Sequence, residues 1–170
     1  IGKTKLSRAN QVDAALLSNA LHSQIWTAET VQDWAWNPLL YQGIAGGALY
    51  NLMAREFAPM ASRLESATAR LELLPTALRH AREQLQPARV PPSHAEIYAG
   101  QNPGLKSLVS ELVEPHKDAL SARKRERLEA AISRFNSAVD EHQRWIETSL
   151  TPNAHGEFRN RRGLSTDERA

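Results

Sequence analysis

Apolar residues recur at helical spacing in segment after segment of this chain, and sustained alternation of apolar and polar residues occurs nowhere. That pattern builds helices and leaves no strand for a sheet. Val12, Leu16, Leu17, Leu21 and Ile25 mark an apolar face on a first helix, which Ser7 or Asn10 can cap. The run Trp34-Ala35-Trp36-Asn37-Pro38 should end it, because proline disfavours helical geometry at the residue before it. A second helix starts at Pro38 and carries Leu39, Leu40, Ile44, Leu49, Leu52 and Met53. Gly46 and Gly47 lie inside it, each about 1 kcal/mol worse than alanine in a helix. The pair predicts a kink, a break or close helix packing.

Further along, Met60, Leu64, Ala67, Leu71 and Leu74 form a helical stripe. Pro75 is expected to open the next segment, with Leu78, Ala81 and Leu85. Residues 86–92 contain three prolines and make the clearest break. Ser93 can cap a helix bearing Ile97 and Tyr98, and Asn102-Pro103-Gly104 interrupts before Leu105, Leu108, Val109 and Leu112. Pro115 should begin the longest helix, reaching about Leu150. On it Leu128, Ile132, Phe135, Val139, His142 and Ile146 make a heptad-like seam. The fold class is therefore all-α, with about six or seven mostly antiparallel helices and a long C-terminal one. Residues 1–150 form the bundle and 151–170 a loop or tail. Trp145, beside the seam, is expected to be mostly buried against the first helices.

At 170 residues the chain fits one domain or one piece of a larger one, and its 41% apolar content is enough for a core. Lys and Arg nearly cancel Asp and Glu, leaving a net charge of +2. The one dense basic run, residues 123–127, reads first as the solvated start of a helix and second as a phosphate or RNA contact. Without cysteine there is no disulfide and no thiolate metal site. No stretch of about 18 uncharged apolar residues exists to span a membrane. The first residue is Ile1 rather than methionine, which points to a processed or trimmed product. The compartment stays open between cytoplasm and periplasm.

Chemistry is sparse. The six histidines are scattered singly, and neither His-Glu-x-x-His, nor a Gly-x-x-x-x-Gly-Lys loop, nor Gly-x-Ser-x-Gly is present. His94 with Glu96, and Glu114 with His116, sit two residues apart and so on different helix faces, which suits no single ion. His142 falls on the apolar seam and reads as a hydrogen-bonded core histidine. Arg55-Glu56 reads as a structural ion pair. Trp26, Trp34 and Trp36 read as core packing with indole hydrogen bonds.

Taken in order, certain motifs add up to more. Asn37-Pro38-Leu39-Leu40-Tyr41 is followed by Gly46-Gly47-Ala48-Leu49, then by Leu52, Ala54-Arg55-Glu56-Phe57-Ala58-Pro59 and Arg63-Leu64. Arg70-Leu71, Leu74-Pro75, Leu78, Ala81-Arg82, Leu85 and, much later, Gly156-Glu157-Phe158-Arg159 complete the series. This resembles the N-terminal third of the bacterial domain-of-unknown-function 885 family, over about residues 10–159. The resemblance implies a largely helical zinc metallopeptidase whose histidine-glutamate metal motif lies C-terminal of the matched segment. It implies no catalytic residue, no metal ligand and no cofactor in this chain, with zinc expected in a complete family member. Tyr41, Arg55, Glu56 and Arg159 are the polar positions that match family motifs, and so the candidates to line a cleft or touch substrate. After Arg159 the sequence Asn160-Arg161-Arg162-Gly163 departs from the family pattern.

Two functions follow. One is the non-catalytic N-terminal helical portion of a metallopeptidase-like hydrolase. The other is a stand-alone helical protein-interaction module. The expected partner is the C-terminal part of a parent protein or a second copy in a dimer, with neither nucleic acid nor membrane. Uncovered apolar surface is expected from residues 39–53 and from the seam 128–146.

Overall fold

The computed structural model describes residues 6–157, and every regular element among them is helical. The chain divides into two compact units, one ending at Trp34 and the other starting at Ala35.

In the first unit, Ser7 is the cap. Its hydroxyl accepts a hydrogen bond from the Asn10 backbone N–H at 3.3 Å and starts helix α1, Arg8–Trp26. The helix ends earlier than proline alone predicts. It widens into a π turn at Thr27–Val31 and stops at Gln32, whose φ of 55° is left-handed. No residue of α1 is buried. Its large apolar side chains are exposed, from Val12 at 46% to Leu16 at 64%. Trp26 and Trp34 are exposed as well, which corrects the expectation of core tryptophans. The Trp34 indole N–H does find a partner, the carbonyl of Ala28 at 3.2 Å. A single turn, α2 (Asp33–Trp36), lies where the units divide.

The second unit opens with α3, Pro38–Met53. Asn37 caps it by accepting from the Leu39 N–H at 3.2 Å, and Pro38 fills the first turn, where its missing N–H is harmless. The helix runs unbroken through Gly46 and Gly47. Packing does not demand glycine at the first of these: a side chain at Gly46 would meet only ordinary contacts, 3.6 Å from Leu108 and 3.8 Å from Leu105.

Helix α4, Met60–Gln84, also runs unbroken through Pro75, so Pro75 opens no new segment. An interior proline costs about 3 kcal/mol. Against that, Leu64, Ala67, Leu71, Leu74, Leu78 and Ala81 are buried in one continuous stripe, each leucine being worth about 1.5–3 kcal/mol. Burial on both sides of the proline outweighs the lost backbone bond.

Helices α5 (Pro92–Gln101) and α6 (Gly104–Leu112) follow. Pro91 rather than Ser93 precedes α5, and no side chain caps it. A 3₁₀ stretch at Glu114–Ala119 replaces the expected start at Pro115, so α7 spans Ala122–Trp145. At 24 residues it is one shorter than α4, and it continues as a π turn, Ile146–Leu150, and a 3₁₀ turn, Thr151–Asn153.

Two buried clusters hold this unit. The larger joins α3, α4, α6 and α7 through Leu49, Leu64, Leu71, Leu105, Leu128 and Phe135. The smaller joins α5 to the end of α7 through Tyr98, Ile146, Leu150 and Ala154, with Leu85 and Val90. All six seam residues of α7 are therefore covered, which overturns the expectation that 128–146 presents free apolar surface. In 39–53 the expectation holds for Leu40, Ile44 and Tyr50, which are exposed, while Leu49, Leu52 and Met53 are buried. The basic run at the start of α7 is engaged in ion pairs: Lys124 with Glu65 at 2.6 Å, Arg125 with Asp118 at 3.1 Å, and Arg127 with both Glu72 oxygens at 2.8 and 2.6 Å. The last pair holds the Glu72 carboxyl below the usual carboxylate range.

The connection from α3 to α4 is tied by Arg63, a buried cation with no carboxylate partner among the described residues. Its guanidinium donates to the carbonyls of Met53 (3.1 Å), Arg55 (2.9 Å) and Ala58 (3.0 Å). These lie at and beyond the C-terminal end of α3, where carbonyls lack helical partners and the dipole favours positive charge. A second tie closes the far end. The Gly156 N–H donates to the Val90 carbonyl at 2.9 Å, and the backbone passes so close that a Cβ on Gly156 would overlap the Arg89 carbonyl.

Candidate functional site

Helix geometry separates the nominated residues. Tyr41 is in the first turns of α3, half-buried against the smaller cluster, and burial raises its hydroxyl above the ordinary tyrosine range. Arg55 and Glu56 lie just past the other end of α3 and are exposed. The helix from Tyr41 to its end at Met53 rises roughly 18 Å at about 1.5 Å per residue, and Arg55 lies beyond that end. One small substrate group cannot touch both. Nor do Arg55 and Glu56 form the expected ion pair: among the described residues neither side chain has a hydrogen-bond or ion-pair partner. Only the Arg55 backbone is engaged, by Arg63. Arg159 lies outside the described residues.

A different set of residues comes together around Tyr41. Tyr98 of α5 and His142 of α7 are fully buried, with the tyrosine hydroxyl 2.6 Å from His142 Nε2. Trp145, one turn further along α7, stacks on the imidazole with ring centroids 5.5 Å apart. It is half-buried there, against the smaller cluster, rather than mostly buried against the first helices. Arg82 of α4 stands nearby, paired at 3.0 Å with Glu141. Burial first, then the positive charge of Arg82, pushes the His142 pKa down to about 4, so the ring is neutral at pH 7. Burial first, then the Tyr41 hydroxyl, pushes Tyr98 well above the ordinary tyrosine range. Next to this pair, buried Asn102 donates to the Val139 carbonyl at 3.2 Å and to Gln143 Oε1 at 2.9 Å. Gln143 in turn donates to the Ala99 carbonyl at 3.2 Å.

The sequence marks His142 as a core histidine, and it is one. Tyr98 and Asn102 carry no motif, and their partners lie 37 to 44 residues away in the chain. The one available signal is Asn102 before Pro103-Gly104, which looks like ordinary turn chemistry.

A neutral imidazole bonded to a high-pKa phenol is poor equipment for acid–base work near neutrality. The cluster is a buried polar joint between helices. A shallow groove of about 220 Å³ lies between α3 and α4, lined by Ala48, Arg70, Leu73, Leu74 and Ala77. Its one charged group, Arg70, donates to the Ala48 carbonyl. Among the described residues no three His, Asp or Glu side chains gather closely enough to hold a metal ion. The described residues therefore offer no set to hold the zinc that the resemblance expects in a complete family member. No helix among the described residues is long and apolar enough to cross a membrane.

Comparison with known proteins agrees with the helical architecture. Among curated proteins none matches the chain. A solved structure from Shewanella oneidensis, described as "a putative lipoprotein of unknown function", superposes with a TM-score of 0.75 at 24% identity. The match covers 89% of this chain and 28% of that one, so the chain spans less than a third of the length of the structure it resembles. The family described as "Bacterial protein of unknown function (DUF885)" matches residues 1–166. Nearly the whole length is thus accounted for by one family, and the chain belongs to DUF885.

Proposed function

We propose that this chain is the non-catalytic helical portion of a larger metallopeptidase-like hydrolase, and that α1 is where it docks on the remainder. The observation that carries this reading is the pairing of a closed core with an uncovered helix. Four helices of the second unit bury their apolar faces against one another. Along α1, by contrast, Val12, Leu16, Leu17, Leu21, Ile25 and Trp26 are all exposed. Many large apolar side chains left exposed on one element of a soluble protein usually mark an interaction site. The resembling structure is more than three times as long as the matched part, which supplies the kind of partner such a face needs. In this reading any zinc belongs to residues outside 6–157, and the chain contributes a wall of the cleft through Tyr41 or Arg159.

The experiment is reconstitution. The purified chain should bind little zinc and cleave no peptide. Mixed with the unmatched part of a longer family member, it should form a complex that Leu17→Glu with Leu21→Glu abolishes. If the chain binds no such part and stays a monomer without binding a hydrophobic dye, the stand-alone interaction module is the better account. Zinc bound stoichiometrically by the chain alone, and lost on a single histidine substitution, would defeat the proposal outright.

A further inference from the structure

The smaller cluster holds a titratable group that its surroundings can serve in only one protonation state. His142 is fully buried, and its Nε2 meets the Tyr98 hydroxyl at 2.6 Å. Its other nitrogen, Nδ1, has no hydrogen-bond partner among the described residues. The groups facing the ring can be named element by element. From α5 comes the Tyr98 hydroxyl, and from α4 the Arg82 cation. From α3, Tyr41 faces Tyr98. On α7 itself Trp145 stacks on the ring, and Glu141 is drawn to Arg82. Among the described residues no carboxylate faces the imidazole. Protonation puts a hydrogen on both ring nitrogens: Nε2 can then no longer accept from the Tyr98 hydroxyl, Nδ1–H has no acceptor among the described residues, and a second positive charge stands beside Arg82 in a buried site.

We propose that the Tyr98–His142 pair is an acid-sensitive latch, which fastens α5 to the end of α7 and releases that seam on acidification. The latch sits where release can be local. The cluster it belongs to consists of α5, the connection at Leu85 and Val90, and the turns that follow α7. The larger cluster contains none of these residues. The strap that closes the seam is held to Val90 by the Gly156 hydrogen bond.

The sign follows from the chemistry. The closed state excludes the proton and the open state accepts it near the ordinary value of 6.5, so stability is complete above about 6.5 and falls as pH drops towards about 4. Each pH unit in that window shifts the open-to-closed ratio by up to about ten-fold, hence about 100-fold at pH 4.5.

The test is amide hydrogen exchange, corrected for intrinsic pH dependence, on the intact chain at pH 7 and pH 4.5. Amides of α5 and of the turns 146–153 should lose about 100-fold in protection, while those in the middle of α4 change little. In His142→Gln the pH dependence in α5 should disappear. The nitrogen-15 shifts of the His142 ring in the wild type give a readout that does not depend on the variant folding. They should show a neutral ring down to about pH 4.5 in the closed form, with protonation appearing together with the loss of α5 protection. The same α5 pH course in His142→Gln, or a ring that titrates near 6.5 while α5 stays protected, would overturn the proposal.

Discussion

Helices α1 and α7 both carry runs of apolar residues, and the protein treats them oppositely. The seam of α7, from Leu128 to Ile146, is buried at all six positions. The face of α1, from Val12 to Ile25, is exposed at all five. Periodicity states that a helix has an apolar face; it does not state which surface covers it. Two things distinguish them: the seam of α7 falls in one narrow stripe while the apolar residues of α1 spread around its axis, and α7 has company. Helix α7 has α4 and α6 to lie against, whose leucines recur at matching spacing. Because folded proteins hold only about 5–15 kcal/mol of net stability, a covered face is felt in unfolding and an uncovered one is felt in association.

That contrast can be attacked residue by residue. The largest effect belongs to the centre of the covered seam. Phe135→Ala should destabilise by about 4 kcal/mol, since the ring is fully buried where four helices meet. Denaturant titration with the slope held constant measures it; a loss under about 1 kcal/mol would mean α7 is not the core helix.

Arg63→Met comes next, at about 3 kcal/mol, because three carbonyls at the end of α3 lose their donor while the apolar stem is kept. Arg55→Met, two residues past α3 and exposed, should change the same titration by under about 0.5 kcal/mol. Equal effects would show that the wrong arginine has been given the structural role.

Two glycines give smaller effects of opposite sign. Gly156→Ala forces a Cβ into the Arg89 backbone and should destabilise by about 2 kcal/mol, with loosening confined to the smaller cluster. Gly46→Ala meets only ordinary contacts with Leu105 and Leu108, and should stabilise α3 by about 0.5–1 kcal/mol. Thermal melts of the pair, run side by side, decide both signs.

The sequence is a good guide to helices and a poor guide to joints, for physical reasons. Local rules place the Ser7 cap, the Asn37-Pro38 start and the stripe of α4, because each depends on residues within one or two turns. The same rules misjudge Pro75, where leucines on both sides of the proline are buried and tertiary packing outweighs a local preference. They also misjudge Trp26 and Trp34, because aromatic residues are read as core by default and burial depends on a partner surface. For the candidate site, Tyr41 lies where family motifs direct attention, but its neighbours Tyr98, Asn102 and His142 converge only in three dimensions. Arg63 sits in a recognised motif, yet its three carbonyl partners offer no side-chain signature.

The central claim is that α1 presents a docking face and not a displaced piece of core, and one substitution tests it most directly. Leu21→Glu places a charge in the middle of that face, where the leucine is 48% exposed. Denaturant titration of the isolated chain should show a change within about 0.5 kcal/mol, as for an ordinary surface position, while hydrophobic-dye binding falls. A loss of about 2 kcal/mol or more, with dye binding unchanged, would show that α1 is part of the chain's own core and would contradict the account.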